Sequence, residues 1–75
     1  MPYVNIRITK EGTTPAQKLA LIEGATDLLS QVLDKDPATT FVIIDEVDTD
    51  SWGLNRENVT TRRQRETAAK AAAAD

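Results

Sequence analysis

Pro2 is the residue of this chain with the most distinctive potential chemistry. A small second residue normally permits removal of Met1, which would leave Pro2 as an amino-terminal secondary amine. An α-amino group titrates near pH ~7.7–8.0, and an apolar pocket lowers that pKa toward neutrality. Proton abstraction requires a base whose pKa lies close to the working pH. Pro2 is therefore a candidate catalytic base, although many chains begin Met-Pro without any chemistry and these two residues alone do not favour catalysis.

The residues after Pro2 predict a strand followed by a helix. Residues 3–9 alternate between polar and apolar side chains, which is the period of a strand with one buried face. Thr14 as N-cap, Pro15 at the first helical position and Gln17 in a capping box indicate the start of a helix. Apolar residues recur at helical spacing as far as Leu33, where we expect the helix to end because a proline follows shortly.

Residues 40–47 predict a second strand, and residues 41–44 are apolar in succession. Such a strand is buried on both faces. A strand, a crossover helix and a second strand form a βαβ unit, which is parallel and right-handed in nearly all cases. One helix covers only one face of a two-stranded sheet. The sequence therefore predicts an α/β fold that assembles as an obligate homo-oligomer.

The last third of the chain changes character. Residues 48–60 are rich in turn formers and predict a small hairpin or an extended arm. Residues 61–75 are arginine-rich and then alanine-rich, without an apolar face. We expect one βαβ domain over residues 1–60 and a frayed or disordered tail over 61–75.

Length and composition exclude several classes of function. The chain has 75 residues, a net charge of −3, no cysteine and no histidine. A zinc site is therefore not expected, and neither is a cofactor. The acidic balance argues against nucleic-acid binding, and no apolar run is long enough to cross a membrane. We expect a cytoplasmic protein.

The order and spacing of several short segments carry a family resemblance. They are the Met1-Pro2 start on an alternating strand, Gln17-Lys18 with Leu21-Ile22 in the helix, Val42-Ile43-Ile44 followed by Glu46 in the second strand, and the aromatic-glycine pair Trp52-Gly53. Each is a weak signal alone. Together they make residues 2–60 resemble the 4-oxalocrotonate tautomerase family.

The resemblance implies an isomerase with Pro2 as general base. In that family the amino-terminal proline moves a proton within an enol or dienol acid and isomerises it to the conjugated ketone. The expected substrate is a small carboxylic acid similar to 2-hydroxymuconate or phenylpyruvate. Trp52 occupies the aromatic position that lines the pocket. The resemblance also implies active sites at subunit boundaries, in a hexamer first, with a dimer or a trimer as alternatives.

The chain departs from the family at the residues that hold the substrate. The best-known members bind a dicarboxylate with two arginines, and the matching positions here are Thr13 and Phe41. The family's glycine-rich turn after the aromatic residue is also replaced, by Leu54-Asn55-Arg56. We expect other cations to bind the substrate carboxylate, and the candidates are Arg7, Arg56, Arg62 and Arg63.

Several alternatives stay open. In the first alternative, Pro2 is protonated and is a general acid, as in hydratases or decarboxylases. In the second, the chain has diverged from the enzymes of the family and is a non-catalytic oligomeric scaffold. The alternative role of Trp52 is a core or interface anchor in place of a pocket wall. The alternative role of Arg7 is a cross-strand ion pair. Asp45 and Glu46 point to opposite faces of a strand, so they cannot act together on one atom. Glu46 is expected to satisfy a buried polar partner.

Overall fold

A computed structural model describes residues 1–73 of the chain. Its elements in chain order are β1 (Tyr3–Thr9), α1 (Pro15–Leu33), β2 (Phe41–Val47), β3 (Gly53–Leu54), β4 (Glu57–Asn58) and α2 (Val59–Ala73). Single 3₁₀ turns at Pro37–Thr39 and Thr49–Ser51 precede β2 and β3. The predicted fold class, a βαβ unit with a short C-terminal hairpin, is confirmed.

Strands β1 and β2 pair in parallel over their full length. Tyr3 lies opposite Phe41, and Thr9 lies opposite Val47. The Phe41 N–H donates to the Pro2 carbonyl at 3.0 Å, which fixes the backbone of Pro2 at the start of the sheet. At the other end, the Lys10 N–H donates to the Val47 carbonyl at 2.8 Å.

Helix α1 begins and ends as the sequence predicts. The Thr14 hydroxyl accepts from the Gln17 N–H at 3.2 Å, and the Gln17 side chain accepts from the Thr14 N–H at 2.9 Å, so the capping box is confirmed. The end at Leu33 is also confirmed, but its cause differs. Asp34 adopts a left-handed conformation with φ 54°, and its N–H donates to the Ser30 carbonyl at 3.0 Å. This left-handed cap ends the helix well before the proline is reached.

One face of the β1–β2 sheet lies against α1. Lys18 of α1 donates to Glu46 of β2 at 2.9 Å, and Glu46 lies opposite Ile8 in the strand register. Val4 and Ile6, which are half-buried, share this face with Ile8. The predicted role of Glu46, which was to satisfy a partly buried polar partner, is confirmed by Lys18.

The opposite face of the sheet is uncovered in the single chain. Tyr3, Phe41 and Ile43 lie on it with 61%, 52% and 46% of their surface exposed. Among residues 1–72, whose burial the structure describes, only Val59 is buried. The accessible surface of 5755 Å² is about a quarter larger than the roughly 4,500 Å² of a compact monomer of this length. One copy of the chain therefore has almost no core of its own.

A two-residue turn joins β3 to β4. Asn55 and Arg56 both have positive φ, at 50° and 69°. Two successive positive φ values are the mark of the type I′ hairpin turn, which matches the twist of paired strands. Asparagine adopts this conformation readily, whereas arginine does so rarely. Of the two predicted alternatives for this segment, the structure has the hairpin and not the extended arm, although the glycines of the family's turn are absent.

Helix α2 corrects the expectation of a frayed tail from Thr61 onward. The Asn58 side chain accepts from the Thr61 N–H at 2.8 Å and caps the helix, and Glu66 pairs with Arg62 at 3.0 Å one turn earlier. These local contacts stabilise a helix without an apolar face. From Thr61 to residue 72 only Arg62 is half-buried, and the rest are exposed. Ala74 and Asp75 lie outside the described residues.

Helix α2 also extends the molecule. The radius of gyration is 17.3 Å, compared with about 11 Å for a compact chain of this length.

Neither α1 nor α2, within residues 1–73, combines the length and apolar character needed to cross a lipid bilayer.

Replacing Ile43 with lysine tests whether a second copy covers the open sheet face. Full burial of an isoleucine side chain contributes ~1.5–3 kcal/mol, and burial of an unpaired ammonium group is costly. We expect Ile43→Lys to sediment as a single chain or to lose cooperative unfolding, whereas the unaltered protein sediments as an oligomer. Lys35→Glu, in the exposed segment after α1, is the control. A stable, folded monomer of the unaltered chain would contradict the expectation.

Candidate active site

An open cleft of about 460 Å³ lies where the end of β1 meets the hairpin and α2. Its walls combine three cationic side chains with apolar groups. The lining residues are Arg7, Ile8, Thr9, Trp52, Leu54, Val59, Arg62 and Arg63. Four of the six predicted site residues, Trp52 and three of the arginines, therefore come together in one chain. Such a cleft suits a small organic anion with an apolar part.

Trp52 forms part of the cleft wall. It follows the 3₁₀ turn Thr49–Ser51, and its carbonyl accepts from the Val59 N–H at 2.9 Å. Because Val59 is the buried residue at the start of α2, this bond ties the backbone of Trp52 to the best-packed point of the chain. The Trp52 side chain is half-buried and also lines a smaller depression of about 250 Å³ beside Arg7.

Arg7 reaches the cleft from the uncovered sheet face. Its Nη2 atom donates to Asp45 Oδ2 at 3.4 Å across the strands, so the alternative interpretation as a cross-strand pair also holds. Asn5 donates to the same oxygen at 2.9 Å. The hydrogen bond from Asn5, and then the one from Arg7, hold the pKa of Asp45 below its ordinary value.

Arg62 and Arg63 are each held by two carboxylates. Arg62 Nε lies 3.0 Å from Glu66 and its Nη1 lies 3.9 Å from Glu57. Arg63 Nε lies 3.1 Å from Glu11 and its Nη1 lies 3.4 Å from Glu66. The cationic edge that α2 gives to the cleft is therefore balanced by nearby negative charge.

Glu11 links the loop after β1 to α2. The Thr9 hydroxyl donates to Glu11, and Arg63 contacts its other oxygen. These contacts, with Thr9 first, lower the pKa of Glu11, and Glu11 in turn raises the pKa of Arg63. Each of the two groups thereby favours the charged form of the other. No sequence pattern indicates the contact between Glu11 and Arg63. By contrast, Glu66 follows Arg62 by four residues and Arg63 by three, and this helical spacing indicates both of its ion pairs.

Pro2 and Arg56 lie outside the cleft of their own chain. Pro2 stands five residues before Arg7 on an extended strand, which is a separation of roughly 16 Å at ~3.3 Å per residue. Arg56 lies in the hairpin turn, and within residues 1–73 it makes no ion pair. A single copy therefore does not bring the predicted base to the predicted binding residues.

The two positions that lack the family's arginines are uncharged in their surroundings as well. Thr13 is half-buried in a shallow depression whose other lining residues are Ile8, Gln17, Ala20 and Leu21. Phe41 is exposed beside Tyr3 at the start of the sheet. Any cation that binds a substrate carboxylate must therefore come from elsewhere.

A match to a protein-family model identifies the family of this chain. The family model for Tautomerase, described as tautomerase enzyme, matches residues 2–62. This chain belongs to the tautomerase family. The resemblance that the sequence indicated is thereby confirmed, and with it the general class of isomerase.

Individual relatives agree with this tautomerase assignment. A protein of Dickeya dadantii named as a probable tautomerase is 64% identical over 64 residues, which is 85% of this chain and 96% of the relative. The crystal structure of DmpI from Helicobacter pylori is 48% identical, with a TM-score of 0.79 over 84% of this chain and 97% of that one. A heterohexameric 4-oxalocrotonate tautomerase from Chloroflexus aurantiacus shares the fold, with 22% identity and a TM-score of 0.74 over 80% of this chain and 95% of that one.

The contacts around Asp45 predict a measurable effect on its pKa. Asn5→Ala and Arg7→Met should each raise the pKa of Asp45, because each removes a hydrogen bond to its carboxylate. Their stabilising effect is complete above the unfolded pKa of about 3.9 and is lost as the pH falls through the lower folded value. An NMR titration of the Asp45 carboxyl group measures both changes. An unchanged pKa of Asp45 in either variant would contradict this arrangement.

Proposed function

We propose that this tautomerase ketonises a small enol or dienol carboxylic acid with Pro2 as its general base. After loss of Met1, the neutral secondary amine of Pro2 accepts the proton of the enol hydroxyl. The resulting ammonium group returns a proton to carbon, which completes a keto–enol isomerisation without a change of oxidation state. A guanidinium or backbone N–H stabilises the developing enolate oxygen. Family membership and the position of Pro2 at the head of β1 support this role.

The observation that carries the proposal is the separation of Pro2 from the cleft. The base and the binding residues lie at opposite ends of β1, and the sheet face between them exposes Tyr3, Phe41 and Ile43. A second copy that covers this face would bring its Pro2 toward a neighbour's cleft. We therefore propose a homo-oligomer with active sites between subunits. A hexamer is the first choice, since a chain of the same fold from Chloroflexus aurantiacus assembles as a heterohexamer.

The charges of the cleft favour a base over an acid. Of the three guanidinium groups that line the cleft, Arg7 has the fewest carboxylate partners, and its positive charge would disfavour the protonated form of a Pro2 amine that a neighbouring copy brings to the cleft. The apolar wall of Trp52 acts in the same direction, because desolvation penalises the ammonium ion. Both effects would keep the amine neutral and ready to accept a proton.

The proposed functional unit comprises residues 1–60 together with the start of the tail. The family match ends at residue 62, within the first turns of α2. Arg62 and Arg63 line the cleft from this first part of the tail. We propose that the alanine-rich remainder to residue 75 takes no direct part in catalysis.

Replacing Pro2 with alanine tests the base directly. A positioned general base contributes typically 10²–10⁴-fold to rate, and alanine leaves only a primary amine in its place. We expect kcat/KM for ketonisation of phenylpyruvate enol to fall by about a hundredfold or more, while the oligomer persists. Tyr3→Phe, which changes the next residue of the same strand, is the control.

The pH dependence separates the alternatives for Pro2. If the amine is a base, activity falls as the pH drops and the amine becomes protonated; if it is an acid, activity falls as the pH rises. Mass spectrometry of the purified protein must show that Met1 is absent. A fully active protein that retains Met1, or unchanged activity in Pro2→Ala, would refute the proposed role. An assembled protein without activity on any enol acid would indicate a scaffold.

A further inference from the structure

Arg7 is the least neutralised of the three arginines that line the cleft. Within residues 1–73 it has a single carboxylate partner, Asp45, reached through one nitrogen at 3.4 Å. Asp45 is already bonded to Asn5 at the shorter distance of 2.9 Å. The Nε and Nη1 atoms of Arg7 have no hydrogen-bond partner among the described residues, and 63% of its side chain is exposed. Because Nη2 uses only one of its two N–H groups on Asp45, one two-donor edge of the Arg7 guanidinium group stays free for a carboxylate.

The other two arginines each lie beside two carboxylates. Arg62 and Arg63 each have one glutamate near the Nε atom and a second near the Nη1 atom, at 3.0 and 3.9 Å for Arg62 and at 3.1 and 3.4 Å for Arg63. Glu66 lies beside both of them. A carboxylate ligand at either residue would meet two carboxylates that already neutralise the guanidinium group, compared with one at Arg7.

Apolar side chains form part of the cleft wall beside Arg7. Arg7 and Trp52 together line both the main cleft and the smaller depression beside it, and Ile8 and Leu54 complete the apolar wall of the main cleft. A carboxylate on the guanidinium fork of Arg7 would place the remainder of the ligand against the indole of Trp52. Arginine is suited to this because its planar fork matches carboxylate geometry.

We infer that Arg7 binds the substrate carboxylate and that the substrate is a monocarboxylic enol acid with an apolar or aryl substituent. This inference rests on the proposed function and names its substrate class. A dicarboxylate needs a second cation, and the two that remain in the cleft among residues 1–73 each already lie beside two carboxylates. The uncharged residues Thr13 and Phe41 at the family's arginine positions agree with a single charged group on the substrate.

The fluorescence of Trp52 provides the test, because it is the only tryptophan of the chain. The assembled protein is titrated with 3-phenylpropionate, a monocarboxylate, and with adipate, a dicarboxylate. Neither compound can tautomerise, so the measurement does not depend on catalysis by Pro2. We expect 3-phenylpropionate to bind at least about tenfold more tightly than adipate. Arg7→Met should weaken its binding by about tenfold or more, as for the loss of a charged hydrogen-bonded pair.

Matched variants make the outcome decisive. Arg7→Lys keeps the charge without the planar fork and should lose an intermediate part of the affinity. Lys35→Met, which removes an exposed cation that does not line the cleft, should leave binding unchanged. Sedimentation verifies that each variant remains assembled. The inference is overturned if Arg56→Met, Arg62→Met or Arg63→Met weakens binding more than Arg7→Met does, or if adipate binds more tightly.

The two proposals can fail separately. If Arg7-dependent binding is observed but Pro2→Ala ketonises phenylpyruvate enol normally, the proposed base is wrong and the binding residue stands. If ketonisation depends on Pro2 but the affinity for 3-phenylpropionate is unaffected in Arg7→Met, the role of Arg7 is wrong and the proposed function stands.

Discussion

A two-stranded sheet packed on one helix leaves its second face in water, and here that face carries Tyr3, Phe41 and Ile43. A compact chain hides such residues, yet Val59 is the only buried residue among positions 1–72. Hydrophobic burial is the dominant favourable term in folding, so the single chain lacks most of the burial that would stabilise it. The proposed assembly and the proposed site both depend on covering this face.

The geometry of the proposed site follows from that constraint. The parallel pairing of β1 and β2 places Pro2 at one end of the sheet and the arginine-lined cleft at the other. No side-chain rotation closes a gap of about 16 Å along an extended strand. Assembly and catalysis are therefore linked in the proposed function. The cleft arginines differ in how far neighbouring carboxylates neutralise them, and this difference selects Arg7 as the proposed carboxylate-binding residue.

Local signals made most of the βαβ unit predictable from the sequence. The alternation of β1 and the capping box of Thr14 and Gln17 involve neighbours in the chain, and the structure has both. Helix α2 was missed because the capping by Asn58 and the pairing of Glu66 with Arg62 outweigh its lack of an apolar face.

The site was only partly predictable because its geometry depends on distant contacts. Four of the predicted site residues line the same cleft, namely Trp52, Arg7, Arg62 and Arg63. Arg56 lies apart from them in a hairpin turn. The contact between Glu11 and Arg63 joins residues far apart in the chain. No periodicity encodes such a contact, so the neutralisation of Arg63 becomes visible only in the folded chain.

Subunit complementation tests most directly whether Pro2 of one copy acts on the cleft of another. One chain carries Pro2→Ala, and the other carries Arg7→Met with Trp52→Leu, so that each assembly alone lacks one half of the site. For sites shared between two subunits, random co-assembly should restore full composition to about a quarter of the sites. We predict that the co-assembled protein regains ketonisation activity at about that level. Activity no greater than the sum of the two separate variants would contradict a site shared between copies.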